Sequence, residues 1–305
     1  QRASFLACGA AIENMIVQAS AEGYRANVAY FPSRDDTWHV ADILLEKDEN
    51  IRVTPLASSI SKRITNRKPY ANGSLSGEDR AALFSAAAQT GGDFALVEKR
   101  EDIKVLGRIG STNEQVMLAN RSLHQFFFSH VSWTKDEDEK KKIGFYIKTL
   151  ELPPPAEKMF KLFSNWSVMR ILARLGFNRL VAKQNGATNA AASAIGAFMI
   201  KQTEPLDFVK VGRAVERFWL AATSLGLSFQ PLTGVLFFKL KLDGGEKEGF
   251  SPHEQKLITN AYQETVRIFQ ADGKHIAFMF RIGRGEAPSA HAIRFPLAEV
   301  VEVVR

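Results

Sequence analysis

Gly9-Ala-Ala-Ile-Glu-Asn-Met-Ile-Val-Gln-Ala-Ser-Ala-Glu-Gly23 returns far downstream as Gly212-Arg-Ala-Val-Glu-Arg-Phe-Trp-Leu-Ala-Ala-Thr-Ser-Leu-Gly226. Gly, Ala, Glu, Ala and Gly recur at matching places, and Ile12/Val215, Val17/Leu220 and Ser20/Thr223 are near matches. Ile12, Met15, Ile16 and Ala19 fall at the spacing of one helix face, as do Val215, Phe218, Trp219 and Ala222. Each run stops at a glycine, a helix-ending residue. The repetition has two readings: two Ala-rich helices that merely look alike, or two related halves folded against each other around a shared cleft.

Working outward, 305 residues at 45% hydrophobic content suffice for one large domain or two modest ones. Most of the 22 Phe must be packing, although a slot for a planar ligand also needs aromatics. Cys8 is the single cysteine, expected to be buried and inert, so no disulfide framework exists and a reducing, cytoplasmic compartment is expected. No apolar stretch reaches spanning length, so no membrane is expected. The chain starts at Gln1, close to its first core helix, and the parent protein is expected to continue upstream. The net charge of +7 is dispersed, and its densest run, Lys135 to Lys142, is of mixed sign. That argues against nucleic acid and for a locally basic site taking a small phosphate.

Strands are expected at 27–31, 51–54, 93–98, 190–200, 235–242 and 275–282. Helices are expected at 58–68, 78–89, 102–107, 113–128 and 156–175, with another opening at Ser251-Pro-His-Glu254. The stretch from about 130 to 187 reads as an insertion or lid. Helices and strands mix without regular βαβ spacing, so the expected class is α+β, an antiparallel-rich sheet flanked by helices.

Two segments could carry chemistry. Lys62-Arg-Ile-Thr-Asn-Arg-Lys68 has four cations in seven residues and no acid. On a helix Arg63 and Arg67 share a face, where two guanidinium forks suit a phosphate, with Thr65 and Asn66 as neutral donors. A solvated basic helix end is the other reading. In Leu225-Gly-Leu-Ser-Phe-Gln-Pro-Leu-Thr-Gly234, Pro231 stiffens the chain and Gly234 admits a close approach, so an N–H of Thr233 or Gly234 can face a ring nitrogen. An ordinary helix-to-strand loop is the alternative. There is no Walker A pattern, no His-Glu-x-x-His and no Gly-x-Ser-x-Gly. His124 and His130 read as helix-surface or lid residues. A phosphate clamp without a side-chain catalyst suits a protein whose cofactor carries the reaction.

These pieces resemble the FMN-dependent nitroreductase-like superfamily. Arg63-Ile-Thr-Asn-Arg-Lys-Pro-Tyr70 is similar to that family's opening arginine motif, and closer to the version in its duplicated, FMN-sequestering Acg-like branch. The Gly-x-Ala-x-Glu helices, the Leu-Gly-Leu-x-x-x-Pro-Leu-Thr-Gly loop and the Arg294-Phe-Pro-Leu tail fit as well. The resemblance implies a nitroreductase-like fold with an incomplete internal duplication. Residues 1–55 would end a first repeat, and 56–305 would form a second repeat with the lid. It implies that Arg63 and Arg67 hold the FMN phosphate, with Thr65 and Asn66 nearby, and that Arg294 lies close. Thr233 and Gly234 would present N–H groups to flavin N5 and O4, with Pro231 and Leu232 against the ring. NAD(P)H would reduce FMN, and FMN an organic acceptor, in a homodimer or an intrachain pseudo-dimer. Flavin sequestration and a flavin-free module, possible beside an adenylating domain, are the alternatives. The family's Ser-x-x-Asn-x-Gln-Pro-Trp segment is missing, with Thr90-Gly-Gly-Asp93 in its region, and Ala292 replaces a residue often basic in relatives.

Overall fold

The computed structural model describes residues 2–304. In chain order its elements are α1 (Arg2–Ala21), β1 (Tyr24–Tyr30), β2 (Ala41–Lys47), α2 (Ala57–Ile60), α3 (Gly77–Ala88), β3 (Asp93–Val97), α4 (Arg100–Gly110), α5 (Thr112–Met117) and α6 (Arg121–Ser129). Then come β4 (Val131–Ser132), α7 (Lys135–Lys141), β5 (Phe145–Tyr146), a 3-10 turn (Ile147–Leu150), α8 (Pro154–Phe163), α9 (Trp166–Arg174) and α10 (Phe177–Ala190). The chain closes with β6 (Ala194–Ile200), α11 (Pro205–Ser224), β7 (Ser228–Pro231), α12 (Gly234–Asp243), α13 (Pro252–Phe269), β8 (His275–Gly283) and α14 (Leu297–Val300).

The fold is α+β. A four-stranded antiparallel sheet in the order β3-β6-β8-β7 forms its centre, with α1, α3 and α11 on one face and α4, α12 and α13 on the other. β6 is buried at every position and β8 at all but His275, as expected of strands covered on both faces. Much of the phenylalanine goes to one stack, in which the Phe229 ring lies 4.6 Å from Phe280 and 4.3 Å from Trp219. A separate apolar cluster of Met117, Phe128, Ile147, Phe163 and Met169 holds the stretch from α5 to α10 together.

The two repeated helices cross each other. A Cβ at Gly9 would meet the Val209 carbonyl and lie 2.9 Å from Gly212 Cα, and one at Gly212 would meet the Leu6 carbonyl. Leu6 and Gly9 correspond to Val209 and Gly212 in the repeat, so the contacts are reciprocal about a local two-fold. The repeated glycines are there because backbone meets backbone. The repeated glutamates are buried beside them: Glu13 takes Arg213 at 2.9 Å and also Arg217, and Glu216 faces Arg63 at 2.8 Å. Gly23 and Gly226 close the two helices at φ +82° and +67°. Met15, expected on the packed face, is 56% exposed instead, since the face that meets α11 runs through Gly9, Ile12 and Glu13.

Several expectations need correction. Residues 58–68 do not form a helix: α2 stops at Ile60, and the chain then runs irregularly beside β7. Arg63 and Arg67 therefore share no helix face. The strand expected at 51–54 is irregular, and the true partner of β1 is β2, paired from Tyr24↔Lys47 to Tyr30↔Ala41. Residues 235–242 form the helix α12, because the buried positions Val235, Leu236 and Leu242 follow a helical rather than an alternating period. Helices 113–128 and 156–175 are each broken in two, at N-caps Asn120 and Asn165. Cys8 is only half-buried. His124 is fully enclosed rather than on a helix surface, its Nε2 2.8 Å from the Phe163 carbonyl and its pKa lowered by burial.

Candidate functional site

The segment after α2 is held in place by Asn66. Its backbone N–H donates to the Phe229 carbonyl at 3.0 Å, beside an isolated parallel bridge between Thr65 and Phe229. Its side-chain amide donates to Ser228 Oγ at 2.9 Å and to the Glu286 carbonyl at 2.7 Å, while its Oδ1 accepts from the Lys68 N–H at 3.0 Å. Both amide hydrogens are used, so Asn66 acts as a latch between this segment, β7 and the chain after β8. Thr65 and Asn66 thus place Arg63 and Arg67 directly alongside the strand that leads into the Pro231–Gly234 turn.

The two arginines reach in different directions. Arg63 Nε lies 2.8 Å from Glu216 Oε1, and its guanidinium stacks 4.5 Å from the Trp219 ring centre. Arg67 donates from Nη1 to the Thr149 carbonyl at 3.0 Å and lies 5.7 Å from the Phe145 ring, both on the 145–151 loop. Arg294 donates to the Ile60 carbonyl at 3.0 Å, which puts the tail beside the same segment. Glu151 accepts from the Ser289 N–H at 2.6 Å, tying tail and loop together. Among the described residues Arg67 and Arg294 make no ion pair within 4.0 Å.

The turn itself is built for rigidity. The Leu232 N–H donates to the Met279 carbonyl at 2.7 Å, and the Leu232 side chain is buried in the core beside Gly110. Thr233 and Gly234 open α12, and no side chain makes a capping hydrogen bond at that end. A Cβ at Gly234 would collide with the Asn113 side chain, so in this conformation the glycine admits Asn113.

Two charged residues that sequence reasoning missed lie beneath these groups. Arg281 is fully buried, and donates to Gln230 Oε1 at 2.7 Å, to the Thr188 carbonyl at 2.7 Å and to the Lys68 carbonyl at 2.8 Å, over the Tyr70 ring at 4.0 Å. Burial, with the neighbouring positive charge of Arg67, pushes its pKa down to about 10. Its sequence signal was a lone cation inside Ile276-Ala-Phe-Met-Phe-Arg281-Ile. Glu114 on α5 has an Oε2 sealed from solvent and without a hydrogen-bond partner. Burial lifts its pKa to about 7, against hydrogen bonds from its own N–H and Asn113 and the attraction of Arg67. Burial also lowers the pKa of Arg67, while Tyr70, Glu151 and Glu114 pull it up.

The arrangement gathers guanidinium groups, an uncapped helix N-terminus and a buried carboxyl of raised pKa around one turn. It offers anion binding and hydrogen bonding, with no metal-binding cluster of His, Cys, Asp or Glu among the described residues. No described helix is long and apolar enough to cross a membrane.

No protein-family model matches the chain. It is 22% identical over 290 residues to the uncharacterised protein MT1398 of Mycobacterium tuberculosis, covering 94% of this chain and 40% of that protein. The chain thus spans about two-fifths of that relative's length. It is 25% identical over 257 residues to Rv3131 of Mycobacterium tuberculosis, provisionally named an NAD(P)H nitroreductase, covering 82% of this chain and 67% of that protein. Similar solved structures include the FMN-dependent nitroreductase NfnB of Mycobacterium smegmatis in complex with NADPH, at TM-score 0.45 and 11% identity over 82% of this chain and 98% of that one. A Bacteroides fragilis nitroreductase with bound FMN gives TM-score 0.42 and 13% identity over 83% of this chain and all of its own.

Proposed function

We propose that this chain binds FMN and works as a nitroreductase-like oxidoreductase that takes a hydride from NAD(P)H and reduces a small organic acceptor. The observation that carries the reading is the docking of the Arg63–Arg67 segment against β7, one step before the Thr233–Gly234 turn. It brings together groups suited to a phosphate and groups suited to a polar ring edge. Similarity to Rv3131 supports the same reading. Arg67 and Arg294, which make no ion pair within 4.0 Å among the described residues, are the groups that would hold the phosphate. Arg63, already bound to Glu216, would act mainly by fixing the segment. The α12 N-terminus would offer its N–H groups to the ring edge, and Pro231 would shape the turn. Leu232 would support that turn from the core. Bound FMN would supply the hydride chemistry. Glu114, near Arg67, would adjust the local charge near neutral pH.

The crossing of α1 and α11 supports a further part of the proposal, an incomplete internal duplication in which residues 1–55 are the C-terminal part of a first repeat and 56–305 the second repeat. The 130–187 stretch would be the lid, and the chain would work as an intrachain pseudo-dimer or a homodimer in a cytoplasmic setting. A second reading is favoured by the contact of Thr149 and Phe145 with Arg67: a lid closed over the site would sequester FMN instead of using it. The test is spectral. The purified chain should bind FMN with a changed flavin absorbance and bleach anaerobically with NAD(P)H. Bound flavin that resists bleaching leaves sequestration, and a chain that binds no FMN sinks both readings.

A further inference from the structure

A second site lies on the other side of the molecule from the α1–α11 crossing. α4 and α10 are drawn together at two glycines. A Cβ at Gly107 would sit 2.8 Å from Ala190 N, and one at Gly186 would sit 3.1 Å from Arg108 Cα. Where the pair faces α13, the side chains are small: Ala182 and Ala187 on α10, Ala261 on α13. Short side chains at a three-helix junction leave space, here a cavity of about 510 Å³. Val105, Ile109 and Leu257 make its walls apolar.

The rim has the opposite character. Lys104 and Arg108 stand one turn apart on α4, and Arg179 and Lys183 one turn apart on α10. All four are exposed, and among the described residues none makes an ion pair within 4.0 Å. Glu264 is the one carboxylate on the rim, and it is already held by Arg267 through hydrogen bonds of 2.9 and 2.7 Å. Like charges at this spacing weaken the helices that carry them. None of the residues proposed to hold FMN lines this cavity.

We propose that the cavity between α4, α5, α10 and α13 binds a small organic anion: a carboxylate, sulfonate or phosphate monoester on an apolar ring or short chain. The four cations select a negative head. The apolar floor selects a body that inorganic phosphate lacks. The size excludes a nucleic-acid strand, and the shared positive charge opposes a second copy of the chain at this face.

The test uses 1-anilinonaphthalene-8-sulfonate as the anionic probe and N-phenyl-1-naphthylamine as its uncharged counterpart, each titrated into the full chain by fluorescence. The sulfonate should bind saturably and weaken as salt rises, while the uncharged dye should not respond to salt. The exposed double substitution Arg108→Glu with Arg179→Glu should weaken the sulfonate by about tenfold or more, the equivalent of one lost charge-assisted contact. Ala187→Trp, which fills the mouth from an exposed position, should remove binding of the sulfonate. Thermal melting of each variant checks that it folds, and a sulfonate affinity indifferent to salt in the unaltered chain refutes the proposal without any variant. No saturable binding, a sulfonate affinity indifferent to salt, a smaller loss in the charge-reversed chain, or binding that survives Ala187→Trp would each overturn the proposal.

Discussion

Replacing Glu114 by Gln should stabilise the protein above neutral pH and leave it little changed in mild acid. One carboxyl oxygen, Oε2, is sealed from solvent and lacks a partner, and burial lifts the pKa from 4.5 to about 7. A lift of that size corresponds to roughly 3 kcal/mol between the two protonation states. The folded state holds the proton more tightly than the unfolded chain does. Below 4.5 both states are protonated and the ionisation costs nothing. Between 4.5 and about 7 stability falls as pH rises, and above about 7 the full cost of burying the charge is present. Gln fills the same volume and cannot ionise. Urea unfolding followed by tryptophan fluorescence should show Glu114→Gln ahead by about 3 kcal/mol near pH 8 and by less than about 1 kcal/mol near pH 5. Every other titrating group is common to both proteins, so the change in their difference isolates this carboxyl. An advantage of equal size at the two pH values would refute the reasoning. An anion bound at Arg67 should raise the Glu114 pKa further, so FMN binding near neutral pH should take up a proton.

Other expectations concern the helix crossing. Gly212→Ala puts a methyl into the Leu6 carbonyl and should cost about 3 kcal/mol, read by denaturant unfolding. Gly226→Ala meets no crowding and should cost only about 1 kcal/mol, from its positive φ alone. Equal losses at the two glycines would mean that the helices are not in backbone contact. Arg63→Ala removes the cation facing a buried carboxylate and should cost about 3–5 kcal/mol of stability, which the added change Glu216→Gln should partly restore. A single variant that melts with the parent protein would return Arg63 to the role of a free phosphate ligand.

What could be read from the sequence was what neighbouring residues decide among themselves. The glycine ends of α1 and α11 and the helix start at Ser251-Pro-His-Glu254 are local signals, and both are present. The apolar runs that became β6 and β8 are buried on both faces, so nothing diluted their pattern. The failures share a cause, which is a partner distant in the chain. Residues 61–68 have helical composition, yet Asn66 is bound to Phe229, Ser228 and Glu286. β2 was invisible because Leu44 and Leu45 are both exposed, leaving no alternation to detect. The run Val235–Leu242 is apolar enough for a strand, and only its start immediately after β7 and its burial period make it a helix. In the candidate site the two arginines and the turn were legible as residue types. Glu216 as the partner of Arg63 was not, and neither were the buried Arg281 and Glu114, because a lone charge in an apolar run gains meaning only once its surroundings are assembled.

The most direct test of the proposed function is FMN titration of the purified chain, with Arg67→Ala measured beside it. Saturable binding in the parent chain, weakened about tenfold to a hundredfold in the variant at unchanged melting temperature, is the predicted result, as expected for the loss of a charged hydrogen bond. A chain that leaves flavin fluorescence and absorbance unaltered, or an Arg67→Ala variant that binds FMN as tightly as its parent, would contradict it.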